Sequence, residues 1–326
     1  MSAPVAVLLF LGGLALTVVA SIVLARELDR IGERLGFSEA LLGIVTAVGA
    51  DAPEISAAVA ALVTGHEDTG VGVVVGSNVF NIAALLGLSA VIAGPVRIHA
   101  HGLALNGGVA LAVALLGALL AIDVLPAVAA LLLALLVVVP YVALSALNAE
   151  RRERLPGVLR AAVAEEEQDA RRHEHAQPGT RRDAFAVVPA LCAVVGGAYA
   201  MVVAAQSLGD RWNVSDVLIG TVVLAGLTGI PNVLAAVRLA LHGRGAACVS
   251  ESFNSNNANI LVGLCIPALV LGLGEPTGVE TFAAWAMVGM TALAVALGFG
   301  RGLTKREGSA IVALYVGFVV VLAVAG

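Results

Sequence analysis

Two carboxylates three residues apart, Asp51 and Glu54, flank a proline inside an otherwise apolar stretch, in the segment GADAPE at 49–54. At that spacing they share a helix face if the helix persists. A carboxylate at the centre of a bilayer costs roughly 2.5 to 3.5 kcal/mol on insertion scales, so such a group is a functional candidate by default. Ser77 and Asn81 are four apart, and Glu251, Ser255 and Asn259 are spaced four and four. Each set lays oxygens along one helix face. Clustered carboxylate, amide and hydroxyl oxygens are the donor set a hard cation takes.

The backbone around these groups is broken in two places. Gly49–Glu54 interrupts one apolar run around Pro53, and Gly226–Asn232 interrupts another around Pro231. A proline lacks the amide donor and so releases a carbonyl one turn back. Non-helical backbone at membrane depth is tolerated only where protein buries it or it lines a wet cavity, and released carbonyls suit hard cations. A single proline kink is ordinary in a membrane helix. Two at equivalent positions beside polar side chains point to a site.

The elements that position these residues follow from composition. The 326 residues are 60% hydrophobic and 13% charged, with a mean hydropathy of +0.99. A soluble domain carries about 25% charged residues, so the solvent is a membrane. Runs of ~20 apolar residues cross a bilayer as helices. Ten are expected, near 3–25, 39–65, 70–93, 101–122, 124–147, 184–207, 214–242, 245–272, 280–299 and 307–325. The first has no basic flank before it and outruns a signal-peptide core, so it is read as a retained helix.

Residues 148–183 form the single long polar stretch and divide these runs five and five. The expected domains are a first half over 1–147, a linker over 148–183 and a second half over 184–326. The halves repeat. At an offset of 178, Pro53 falls on Pro231, Glu54 on Asn232, Ser77 on Ser255, Asn78 on Asn256, Asn81 on Asn259 and Ile82 on Ile260. Upstream, Ser38 and Gly43 match Ser215 and Gly220 at an offset of 177. The repeat segments are about 36–89 and 213–266. Five crossings is an odd number, so the second copy enters the membrane inverted, an arrangement that places substrate sites at the midplane. The reading is all-α: a polytopic membrane protein of ten transmembrane helices as two inverted five-helix repeats.

Orientation follows Lys and Arg in short loops. The loops on the side of the linker hold sixteen, against Arg211 alone on the other side. The linker is therefore expected in the cytoplasm and both termini outside, in the plasma (inner) membrane. Other candidates read as structural. Glu165, Glu166, Glu167 and Asp169, with His173 and His175, fit a solvated linker. Cys192, Cys248 and Cys265 fit buried small hydrophobes. His66, His99, His101 and His242 lie at loop ends. Asn78, Asn254, Asn256 and Asn257 fit helix-to-helix hydrogen bonding as well as ion contact.

The two segments resemble the paired alpha repeats of the cation/calcium exchanger superfamily, whose pattern runs GTSxPE and, after a spacer, GNxxGSNxFN. The first copy reads GADAPE and GVVVGSNVFN; the second reads LTGIPN and SESFNSNNAN. The resemblance implies a cation site of Glu54, Ser77 and Asn81 with Thr228 and Ser255. Asn232 stands where the family has its second glutamate, and Asn259 where members have Asn or Asp. Asp51 replaces a Ser and Glu251 an Asn, so carboxylates are relocated. The expected cation-binding set is Asp51, Glu54, Ser77, Asn81, Thr228, Asn232, Glu251, Ser255 and Asn259, with Glu54, Asp51, Asn81 and Asn259 as metal ligands. By the same resemblance, the first helix of each half would slide past a fixed core.

The leading expectation is a secondary active antiporter exchanging calcium for sodium by alternating access. It needs no prosthetic group, and its partners are the bilayer and small cations rather than nucleic acid. Alternatives are a proton-coupled or other-cation exchanger, or a non-transporting sensor derived from one. An intramembrane aspartyl protease would need two facing aspartates sharing a proton, which the segments facing Asp51 do not offer.

Overall fold

The computed structural model of the chain describes residues 1–35, 45, 47–147, 151, 153–162, 183–300 and 302–325. Ser38, Gly43 and the linker residues 165–175 named above lie outside that set. The described chain is helical: α1 (Ala3–Leu35), α2 (Ala52–Val63, continuing helical residues 47–50), α3 (Glu67–Ala93), α4 (Ala100–Ala121), α5 (Ala127–Ser145), α6 (Asp183–Trp212), α7 (Asp216–Thr228 and Ile230–Leu241), α8 (Gly245–Leu271), α9 (Gly278–Gly298) and α10 (Lys305–Ala325). Eight of these are long and apolar enough to cross a membrane, and the two pieces of α7, bent by 49° at Gly229, make a ninth if taken together as one broken span. The expected tenth, 39–65, is described only in part. The first span is ten residues longer than its apolar run suggests, because the helix continues through the charged turns from Arg26 to Arg34.

Burial separates core from periphery. In α3, 89% of the apolar window is buried, against 17% in α5. Large side chains such as Leu132, Leu136, Phe185, Val188, Val316 and Val324 are exposed on α5, α6 and α10. A patch of that kind destabilises a soluble protein and is what a lipid-facing helix requires. Cys248 and Cys265 are buried as expected; Cys192 instead is exposed on the outer side of α6.

Without a hydrophobic drive between helices in lipid, close packing by small residues is what holds a bundle. In α3, Gly72 and Gly76 bring its backbone against Val217, Gly220 and Thr221 of α7. Helices α1 and α6 run along each other, crossing where Gly13 meets the Gly197 carbonyl. A Cβ on Gly13 would lie 2.7 Å from that carbonyl oxygen and 2.9 Å from the Met201 nitrogen, whereas Gly12 faces open space. Gly13→Ala is therefore expected to lower stability by ~1–3 kcal/mol through overpacking, outweighing a helix-propensity gain of ~1 kcal/mol. Gly12→Ala keeps the gain and should be neutral or better; thermal unfolding in detergent separates the pair.

The two halves carry the same irregularities. Helix α3 widens into a π segment over Ile82–Leu88 and α8 does so over Asn259–Cys265, each directly at the paired asparagine of the repeat. Such π segments concentrate at functional sites. On one face of the molecule, the linker face, Val96 and Leu303 exchange backbone hydrogen bonds of 2.9 and 3.0 Å, and Gly245 sits against the Arg97 backbone. On the opposite face His66 Nδ1 lies 3.2 Å from Asp216 Oδ2, and Thr69 donates to the Asp216 carbonyl. His66 thus ties the halves together, a role its loop-end position did not suggest.

Candidate cation-binding site

Both helix breaks occur where the prolines predict. Asp51 interrupts the helix before Ala52–Val63, and Gly229 interrupts α7, with Pro53 and Pro231 in the first turn of the pieces that follow. Lacking an amide hydrogen, Pro53 gives no bond to the Gly49 carbonyl and Pro231 none to Leu227. The breaks turn Asp51, Glu54 and Asn232 toward one another in the centre of the bundle, where all three are at most 2% exposed.

The amide of Asn232 donates to both carboxylates, at 2.7 Å to Asp51 Oδ1 and 3.2 Å to Glu54 Oε1. The Ser255 hydroxyl donates to the same Asp51 oxygen at 2.5 Å. Asn81 Nδ2 then reaches Ser255 Oγ and Asn256 Oδ1, each at 3.0 Å. Asn256 closes the chain by donating to the Asn78 carbonyl at 3.1 Å, and Asn78 Nδ2 rests on Met287 Sδ at 3.2 Å. Helices α2, α3, α7 and α8 are joined through this one network. Toward the carboxylates the second half contributes the donors, Asn232 and Ser255, and the first half the charge they hold, while Asn81 donates the other way.

What the donors leave over is a set of acceptors. Asp51 Oδ2, Glu54 Oε2, Ser77 Oγ, Asn81 Oδ1, Asn232 Oδ1 and Asn259 Oδ1 are buried and have no hydrogen-bond partner. A buried polar group without a partner costs ~1–3 kcal/mol, and more if charged. Native structures avoid this except where a ligand or function explains it. Asn259 Nδ2 is left over beside its Oδ1; apart from it, the unpartnered atoms at this place are oxygens that follow the stripes carrying the repeat. Among the described residues no three His, Cys, Asp or Glu side chains come together to hold a metal. A cation placed here would meet two carboxylates with amide and hydroxyl oxygens.

Seven of the nine expected residues therefore share one buried region: Asp51, Glu54, Asn232, Asn81 and Ser255 through direct bonds, Ser77 and Asn259 by one-turn spacing on α3 and α8. Two stand apart. Thr228 donates back to the Leu224 carbonyl at 2.8 Å, a bond within its own helix. Glu251 lies one turn from Ser255, partly exposed, with Oε2 buried and unpartnered. Sequence reasoning left Asn256 undecided between packing and ion contact, and its bonds to Asn81 and Asn78 make it a clamp between the halves. The repeat gave the available signal, since Asn256 is the mate of Asn78.

This geometry has relatives. A family profile described as sodium/calcium exchanger protein matches residues 5–149 and 184–324. Sodium/calcium exchanger MaX1 of Methanosarcina acetivorans is 25% identical over 348 aligned residues, covering 97% of each chain. A protein of Alkalimonas amylolytica named as an antiporter, CaxA, is 37% identical over 82 residues; the match spans 25% of this chain and 26% of that protein's length. In three dimensions the chain superposes on the sodium-calcium exchanger NCX_Mj with a TM-score of 0.64 at 22% identity, covering 98% of this chain and 99% of the other. That likeness is one of fold: two inverted helical repeats packed on each other. With the profile spanning both halves, this multi-pass membrane chain belongs to the sodium/calcium exchanger protein family.

Proposed function

We propose that the chain is a secondary active antiporter that exchanges calcium for sodium across the plasma (inner) membrane by alternating access through the site between α2, α3, α7 and α8. The observation that carries this reading is the set of six unpartnered buried oxygens, two of them from carboxylates. Calcium takes six to eight oxygens and compensates two negative charges. Asp51 and Glu54 supply both charges, while Ser77, Asn81, Asn232 and Asn259 supply neutral oxygens. Thr228 and Glu251 flank that set. The exchangers named above support the substrate class. The linker 148–183 is placed in the cytoplasm and both termini outside, by the loop distribution of Lys and Arg.

A second reading, proton-driven exchange, is favoured by one observation: Asn232 donates to both carboxylates where the superfamily has a second glutamate. Charge from one half alone, shared through one amide, suits a site in which a proton replaces a cation on a carboxylate. Reconstitution into liposomes separates the two. Calcium uptake against an outward sodium gradient is expected at fixed pH, and uptake driven by a proton gradient alone would replace sodium coupling with the second reading. No uptake under either gradient would sink the exchanger assignment.

A further inference from the structure

The strongest feature outside the bonded network is Glu251. On the reading of the central site just given, we propose that Glu251 forms a separate cation station on the route between that site and the linker face, with no carboxylate at the repeat-equivalent step of the opposite route. Helix α8 starts at the linker face with Gly245. Along it Arg244, Glu251, Ser255 and Asn259 follow one stripe, seven, four and four residues apart. Ser255 touches Asp51, so Glu251 lies one turn, roughly 6 Å, nearer the linker face. Its Oε2 is buried without a hydrogen-bond partner, although the residue as a whole is partly open. Asp51 and Glu54 are each only 1% exposed. Glu251 therefore stands at the step between enclosed site and more open approach, within electrostatic reach of Asp51 inside and Arg244 outside.

The repeat makes this step one-sided. The mate of Glu251 at the offset of 178 is Val73, which is fully buried among apolar neighbours. A carboxylate on an approach raises the local cation concentration and lowers the cost of shedding water before the site is reached. A valine does neither. One turn from the site, the route toward the linker face therefore has a charged step where the other has methyl groups, the carboxylates of the other side, Glu67, Asp68, Asp216 and Glu280, lying out at the opposite face, and the two faces should differ in apparent affinity for the same ion.

The test compares right-side-out and everted membrane vesicles carrying wild type or Glu251→Gln, with calcium as the probe at each face. The expected result is a half-saturation concentration about fivefold higher at the linker face for the variant, with that at the opposite face unchanged. An equal rise at both faces makes Glu251 a ligand of the central site and overturns the station while leaving the exchanger reading intact. No change at either face overturns it as well. A wild type without flux removes the exchanger reading and the station with it. Should the glutamine variant not reach the membrane, Glu251→Asp keeps the charge but withdraws it by one methylene. It should then give a smaller rise on the linker face alone, and a rise on both faces or neither refutes the station.

Discussion

Replacing Glu54 by Gln is expected to reduce calcium exchange by roughly 30-fold or more while leaving the protein folded. The size of the effect follows from charge. Removing one partner of a buried charged contact costs ~2–5 kcal/mol, and each 1.4 kcal/mol is about tenfold in affinity. The fold survives because glutamine has the same shape and its amide oxygen still accepts the Asn232 hydrogen bond now made to Oε1. Asp51→Asn should cause a comparable loss for a different local reason. Its oxygen continues to accept from Asn232 and Ser255. That fixes the new amide group at the position of Oδ2, where it presents a donor to the cation. Each single variant keeps one carboxylate, enough to balance a monovalent ion, so sodium or proton movement should persist in both and vanish in the double variant. Isotope flux in liposomes reads the exchange. Thermal stabilisation by added calcium reads binding independently, since a ligand of the native state raises stability by mass action. Wild-type calcium flux in Glu54→Gln would remove the site from this position.

Much of this site was legible in the residues because membrane depth makes polar groups conspicuous. Asp51, Glu54, Ser77, Asn81, Ser255 and Asn259 stand out against an apolar background, and the offset of 178 pairs Ser77 with Ser255, Asn81 with Asn259 and Glu54 with Asn232 without geometry. What the sequence withheld was direction. Asn232 and Ser255 read as ligands, yet their protons are spent on Asp51, and only coordinates distinguish a donor aimed at a carboxylate from an oxygen aimed at a cation. Thr228 entered through family resemblance, and its hydroxyl turns back to Leu224 because a threonine in a helix can always bond the carbonyl four residues earlier. Helix ends were blurred for a related reason. Hydropathy marks where a chain leaves the membrane rather than where its helix stops, so α1 outruns its apolar segment, whereas the bend in α7 is marked by Pro231. Among the described residues, nine of the ten expected spans and the all-helical, two-repeat architecture otherwise agree with the fold.

The second large effect is expected at a residue with no side chain. Gly76 precedes Ser77, and the stretch Gly72 to Gly76 reads in sequence as part of the repeat motif. In the structure it is a contact between backbones. A Cβ on Gly76 would lie 2.4 Å from both the Cα and the carbonyl oxygen of Thr221, and 2.7 Å from its carbonyl carbon. Backbone cannot rotate away as a side-chain tip can, so α3 and α7 must part. Gly220, the neighbour of Thr221, is equally confined by the Thr69 carbonyl and the Val73 nitrogen. Overpacking in a close-packed interior costs ~1–3 kcal/mol where neighbours give, and more where they do not. Gly76→Ala is therefore expected at the upper end of that range or beyond it. Because Ser77 and Asn81 ride on the same helix, the shift would also carry their oxygens away from Asp51 and Asn232. Function should fall further than stability alone accounts for, and calcium should stabilise the variant less than the wild type. Gly108→Ala, in α4 with open space around its Cβ position, is the control and should leave both properties unchanged. Equal behaviour of the two variants in thermal unfolding would mean that the α3–α7 crossing is loose, and that the site owes its alignment to the asparagine network instead.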